Sequence, residues 1–295
     1  MKIFSGSATA IVTPFTADGK AVDFEALTRF IEFQITEGTQ ALIINGTTAE
    51  AATMSLEEDT RVLEHAIQIT AGRIPIIAGT GSNNTVHAVT ETKIAQDLGA
   101  DAVLIVTPYY NKTTQAGLIA HYEAIMAETD IPIILYNVPG RTGMSIEIDT
   151  VIKLSSYPQI IGIKDATGDM SYTMELFARQ IADFAIYTGN DDLYIPFLSM
   201  GGDGIISVIS NIYPKVMQTI FEVTTKGDFA QAAMIANRLH PVLQALYAEV
   251  NPVGAKAALA LMGVQNGILR LPLIPMSAEK NAKLAAAITA YDKIR

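Results

Sequence analysis

Lys164 closes the run IIGIK (160–164), in which Ile160, Ile161 and Ile163 have the character of a buried β-strand. Lysine is among the residues least often fully buried, so a cation at the end of such a strand calls for a use. A protonated lysine cannot attack a carbonyl. Removal from water favours the neutral amine, and a neutral lysine amine forms imines with carbonyl compounds. The competing reading is an ordinary strand-end lysine whose stem packs while its ammonium reaches water or pairs with Asp165. Tyr136, at the end of another apolar run, could carry protons at an imine carbon, or be a core aromatic with a satisfied hydroxyl. Thr47 and Thr48 follow Gly46 in a tight loop that offers hydroxyls and amides to a carboxylate; common turn chemistry also explains them. Arg141, after Pro139-Gly140, could hold a second carboxylate in a bidentate pair, or be a solvated loop residue. Tyr109 and Tyr110 fit either a site or an interface.

Several other motifs fail. GTGSNN (79–84) lacks the third glycine of a dinucleotide fingerprint, and there is no Walker lysine or G-x-S-x-G elbow. His65, His87, His121 and His240 are dispersed, without metal-ligand spacing. The chemistry is therefore expected to need no metal and no nucleotide cofactor. With no cysteine in the chain, disulfides and thiolate nucleophiles are excluded. A net charge of −10 argues against nucleic acid as the main partner. No apolar run approaches the roughly 18 residues of a membrane span. The N-terminal MKIFSGSATAIVTPF has no long apolar core of a signal peptide.

These residues need a scaffold that brings strand ends together. Eight short Val- and Ile-rich runs recur, at 7–14, 41–45, 75–80, 102–108, 132–137, 160–164, 185–190 and 204–208. They lack strict polar alternation, as strands buried on both faces do. The intervals are mostly amphipathic. Asp23 caps one helix and Ser55 with Glu58 forms a capping box for the next, while Gly38, Gly72 and Gly99 end three of them. Eight β-then-α units in 295 residues predict a (β/α)₈ barrel, with an open doubly wound sheet as the structural rival. Residues 1–227 are expected to form the barrel with its site. Residues 228–295, including apparent helices at 228–250 and 278–294, are expected to form a C-terminal helical segment.

The stretches NGTTAEAATMS, PIIAGTGSNNT, VTPYYNKTTQAGL, ILYNVPGRTG and GIKDATGD resemble the dihydrodipicolinate synthase family of pyruvate-dependent aldolases, over nearly the whole chain. The resemblance implies a (β/α)₈ barrel with a C-terminal helical segment, found in the cytoplasm and usually assembled as a homotetramer of two tight dimers. It implies condensation of pyruvate with L-aspartate 4-semialdehyde on the way to lysine and diaminopimelate. In this likeness Lys164 forms the imine, Tyr136 is the acid/base, Thr48 relays protons, and Tyr110 is lent by a neighbouring subunit. Thr47 and Thr48 hold the pyruvate carboxylate, Arg141 binds the second substrate, and Gly189 and Ile206 line the pyruvate pocket. N-acetylneuraminate lyases and keto-deoxy-sugar acid aldolases share the lysine and tyrosine; Arg141 with the GTT loop favours the synthase. A catalytically dead barrel is a further alternative, against which the complete set of Lys164, Tyr136, Thr48, Tyr110 and Arg141 argues.

The sequence departs from the family pattern at Ala49 and Ala51, where many members carry glycine and serine. Ala49 is tolerable if its φ is negative. Lysine-inhibited members bind lysine in a cleft between two subunits. Asn83 and Tyr109 match that cleft, while Ala51, Leu56, Asp59 and His87 differ from it. Weak or absent lysine inhibition is the expectation.

Overall fold

The computed structural model describes residues 2–294. Eight parallel strands close into a barrel in sequence order. They are β1 (Gly6–Ala10), β2 (Leu42–Ile44), β3 (Ile76–Gly79), β4 (Ala102–Val106), β5 (Ile133–Asn137), β6 (Ile160–Asp165), β7 (Ala185–Thr188) and β8 (Gly204–Ser207). The seam pairs β1 with β8, from Gly6↔Gly204 to Thr9↔Ser207. The first strand is shorter than the apolar run from 7 to 14 suggested, because the chain leaves the sheet after Ala10 although Ile11 and Val12 remain buried.

The strands are apolar on both faces because each face is buried in a different core. Ala8, Ile43, Ile77, Leu104, Ile134, Tyr136 and Ile206 fill the barrel lumen. Leu42, Ile76, Ile105, Leu135 and Ile163 face the layer between barrel and helices. That layering is the usual way a parallel barrel is filled.

The helices are α1 (Phe24–Thr36), α2 (Leu56–Thr70), α3 (Thr85–Leu98), α4 (Gln115–Met126), α5 (Pro139–Thr142), α6 (Ile148–Ser155), α7 (Met170–Ala178) and α8 (Tyr194–Ser199). They continue with α9 (Pro214–Thr225), α10 (Phe229–Leu246), α11 (Val253–Leu261) and α12 (Ala278–Asp292). The expected caps are present. Asp23 accepts from the Ala26 amide at 2.9 Å, and Ser55 and Glu58 form a reciprocal box. Gly38, Gly72 and Gly99 all have positive φ. Helix α11 had no counterpart among the expected elements. Its apolar composition hides its period, and it is buried through Val253, Ala255, Ala258 and Leu259. No helix among the described residues is long and apolar enough to cross a membrane.

Candidate active site

Strand β6 carries an irregularity that sets the direction of its last side chains. Ile133 of β5 pairs with Ile160, but the next residue, Ile134, pairs with Gly162. Ile161 is the additional residue, and it joins Gly162 on the lumen side as a bulge. Beyond the bulge Ile163 faces the helices, and Lys164 stands level with lumen-facing Tyr136 on one side and Tyr187 on the other. Lys164 is 6% exposed, and its Nζ lies 4.3 Å from the centre of the Tyr136 ring.

Asp165 faces the other way. Its carboxylate accepts from the Thr167 amide (2.9 Å), the Thr167 hydroxyl (2.7 Å) and the Thr173 hydroxyl (2.6 Å). No ion pair among the described residues includes Lys164, so the simple Lys164–Asp165 pair does not form. Gly189, just past β7, makes room for the lysine stem. A Cβ there would lie 2.7 Å from Lys164 Cε and 2.7 Å from Ala166 Cβ. Ile206 is fully buried in the lumen cluster that contains Tyr136.

Across the mouth, Thr47–Ala49 form a single 3₁₀ turn. Its first internal bond runs from the Ala49 amide to Gly46 O at 3.1 Å. The Thr47 and Thr48 amides precede that bond and have no partner inside the turn, which is what an anion needs at such an N-terminus. Ala49 does not have positive φ; the left-handed residue is Glu50, φ 59°. The alanine is thus accommodated as expected. Thr47, Thr48, Tyr136, Arg141 and Lys164 line one cavity of about 420 Å³, together with Ala51, Asp59 and Tyr109. Tyr110 is 92% exposed on the loop after β4, with φ 67°, and does not join the lining of its own chain's cavity.

Asn251, which the sequence did not single out, ties this mouth together. Its side-chain amide donates to Thr48 Oγ1 at 2.9 Å, and its backbone carbonyl accepts from Arg141 Nη2 at 3.1 Å. Glu50, Lys256 and Arg270 were also missed. The available signals were the Asn-Pro turn dipeptide at 251–252 and a lone lysine within the apolar run VGAKAALAL. The glycines of GTGSNN have packing roles: a Cβ on Gly79 would lie 2.5 Å from Asn45 O, and one on Gly81 2.5 Å from the Val106 amide.

The residues matched to an inhibitor cleft spread outward from the same cavity. Leu56 and Asp59 border a small void with Asn45 and Glu91, whereas His87 is exposed on α3. The Asn83 carbonyl accepts from the Asn111 side chain at 2.9 Å. Burial, then the carboxylates of Glu91 and Glu58, raise the Asp59 pKa to about 7. Burial raises that of Glu91 to about 7.

A closed parallel barrel with a buried amine on the penultimate residue of its sixth strand, beside a tyrosine and in one cavity with an amide-bearing turn, has the architecture of a lysine-dependent aldolase-type enzyme. The chain belongs to the Dihydrodipicolinate synthetase family, whose profile matches residues 3–291. It is 46% identical to a 4-hydroxy-tetrahydrodipicolinate synthase of Thermoanaerobacter sp. (strain X514), covering 100% of this chain and 99% of the relative. It is 42% identical to one of Bacillus subtilis (strain 168), covering 97% and 99%. The structure is similar to a chloride-inhibited dihydrodipicolinate synthase from Acinetobacter baumannii complexed with pyruvate, at TM-score 0.96 and 44% identity, covering 99% and 100%. It is also similar to a lysine-bound enzyme from Cyanidioschyzon merolae, at TM-score 0.95 and 37% identity, covering 99% of each chain.

Proposed function

We propose that this enzyme is a 4-hydroxy-tetrahydrodipicolinate synthase, a lyase that condenses pyruvate with L-aspartate 4-semialdehyde on Lys164 in lysine and diaminopimelate biosynthesis. The observation that carries the residue assignment is the buried Lys164 amine over the Tyr136 ring, within the cavity that Thr47, Thr48 and Arg141 also line. The uncharged amine adds to the ketone carbon of pyruvate, and the carbinolamine loses water to give a cationic imine. That cation withdraws electrons from the adjacent methyl group, which gives up a proton and leaves an enamine. The enamine carbon attacks the aldehyde of the second substrate. The amine of that substrate then adds to the imine carbon, closes the ring and expels Lys164.

Each step moves a proton over a short distance. Tyr136 is the acid/base group, Thr48 its relay, and Tyr110 of a neighbouring copy completes the chain of hydroxyls. Thr48 supports this role because its oxygen accepts from Asn251, which leaves its own hydrogen free to donate. The Thr47 and Thr48 amides hold the pyruvate carboxylate and Arg141 the other one, which gives an acidic protein local donors for two anions. The exposure of Tyr110 supports a multimer, in this reading a homotetramer of two dimers, working in the cytoplasm. Residues 1–227 are the catalytic barrel, and residues 228–295 are a helical segment that serves it through Asn251.

Borohydride reduction in the presence of pyruvate tests the assignment. The expected product is one reduced pyruvate adduct on Lys164, absent in K164A. An adduct on another residue refutes it. Offering L-aspartate 4-semialdehyde, N-acetylmannosamine and glyceraldehyde in parallel separates the synthase from the sugar-acid aldolases.

A further inference from the structure

The segment from α11 to Arg270 reaches back to the active-site mouth with two cations, and neither lines the cavity. Lys256 and Glu50 form an ion pair in which each side chain is only 1% exposed. Lys256 Nζ also donates to Ile268 O at 2.7 Å, and the other carboxylate oxygen of Glu50 accepts from the Arg270 amide at 3.0 Å. The Arg270 guanidinium spends its N–H groups on three parts of the barrel. It donates to Gly19 O (2.8 Å) and Lys20 O (3.0 Å) after β1, to Thr53 O (3.2 Å) after β2, and to both oxygens of Glu58 (2.9 and 2.7 Å) at the start of α2. Both cations lie over the Phe15 ring, at 4.1 and 4.2 Å from its centre.

Glu50 is where these contacts meet the chemistry. It directly follows the Thr47–Ala49 turn and holds the left-handed conformation that ends it, φ 59° and ψ 32°. A non-glycine residue in that backbone conformation carries a cost that its contacts can offset. The ion pair and the Arg270 amide do so here. Within the same turn, Thr48 accepts from Asn251 of the same C-terminal segment. The amide-bearing turn is thus pinned at two points by residues from one segment. An apolar pair of similar volume would serve stability as well as a buried ion pair does, whereas the ion pair fixes one geometry.

We propose that Glu50, Lys256 and Arg270 are positioning residues for the keto-acid carboxylate: a two-cation clasp from the C-terminal segment that sets the Thr47–Thr48 amides at their binding distance. The inference rests on the reading of Lys164 as the imine-forming residue and of that turn as the carboxylate holder. Lys256 acts on Glu50 through its ammonium, and Arg270 through its main-chain amide, which the guanidinium anchors; neither cation lines the cavity.

The test is borohydride trapping at graded pyruvate, read by intact mass, with steady-state kinetics beside it. A wild-type protein that traps no pyruvate refutes the Lys164 reading itself. With the wild-type adduct present, K256M is expected to raise the half-saturating pyruvate concentration at least about tenfold, through misplaced donors. Its maximal trapped fraction is expected to stay close to wild type. The E50Q/K256M double variant strands no charge and is expected to recover at least about threefold of that loss, as coupled partners do. R270Q keeps the main-chain bond to Glu50 but removes the guanidinium bonds that anchor that amide, and about a fivefold rise is expected for it. A half-saturating concentration within about twofold of wild type in K256M, with only the melting temperature lowered, overturns the proposal. The same result in R270Q overturns it where circular dichroism shows K256M to be unfolded.

Discussion

Asn251 and Thr48 lie 203 positions apart in the sequence and are joined by a hydrogen bond of 2.9 Å. The same asparagine holds Arg141 through its backbone carbonyl. One residue of the C-terminal segment therefore sets the spacing between the group assigned to the first carboxylate and the group assigned to the second. Replacing Asn251 by alanine removes the side-chain bond and keeps the carbonyl. N251A is expected to lower kcat with pyruvate saturating by roughly ten- to a hundredfold, the cost of misplacing a relay group. KM for the second substrate should change less, because Arg141 keeps its anchor. Initial rates with each substrate varied in turn check this; equal losses in both parameters would contradict it.

Gly189 gives a sterically sharper case. An added methyl would meet Lys164 Cε and Ala166 Cβ at 2.7 Å, far inside normal contact. G189A is expected to destabilise the fold by about 1–3 kcal/mol, as overpacking does. It should also displace the amine enough to slow imine formation by about a hundredfold. Single-turnover trapping with pyruvate measures the second effect independently of the first. A G189A protein that traps pyruvate at the wild-type rate would show that the stem has another way past the methyl.

Asp59 and Glu91 make stability depend on pH in the direction opposite to a salt-bridged acid. Their folded-state pKa values stand at about 7, above the ordinary 3.8 and 4.5. Between roughly pH 4 and 7 the folded chain keeps protons that the unfolded chain has released, so stability falls as pH rises through that window. Asp59→Asn removes the larger share. It is expected to raise the melting temperature at pH 8 by several degrees, about 1–2 kcal/mol after partial solvation is allowed for, and to change little at pH 4.5. Thermal melts across that range decide it, and equal shifts at both ends would exclude titration as the cause.

Feedback by lysine is expected to be weak or absent. The cleft positions offer Asp59, whose charge is suppressed near neutrality, and an exposed His87 in place of an acidic partner for an ammonium group. Rates measured at saturating substrates should fall less than about twofold at 1 mM lysine, since an unpaired ammonium gains little on leaving water. Half-inhibition at sub-millimolar lysine would run against this.

The barrel was legible because its strands are buried on both sides. Runs such as PIILYN and AVLIVTP have no polar alternation to confuse them, and their polar ends mark the mouth directly. Lys164, Tyr136, Thr48 and Arg141 were visible for the same reason. Asn251, Glu50, Lys256 and Arg270 were not, because their meaning lies in contacts across 110 to 251 positions. No local period or spacing encodes such contacts. The bulge at Ile161 was equally hidden, since three isoleucines and a glycine look the same with or without it.

That bulge makes the direction of the amine at 164 a question of parity. Each step along a strand turns the next side chain to the opposite wall. Were β6 to run in unbroken register from Ile160, the count would come out even where it is now odd. The acid at 165 would then look into the lumen and the amine would be sealed among the helices. A single uncounted isoleucine, with no functional group of its own, decides which of two neighbouring polar side chains faces the lumen.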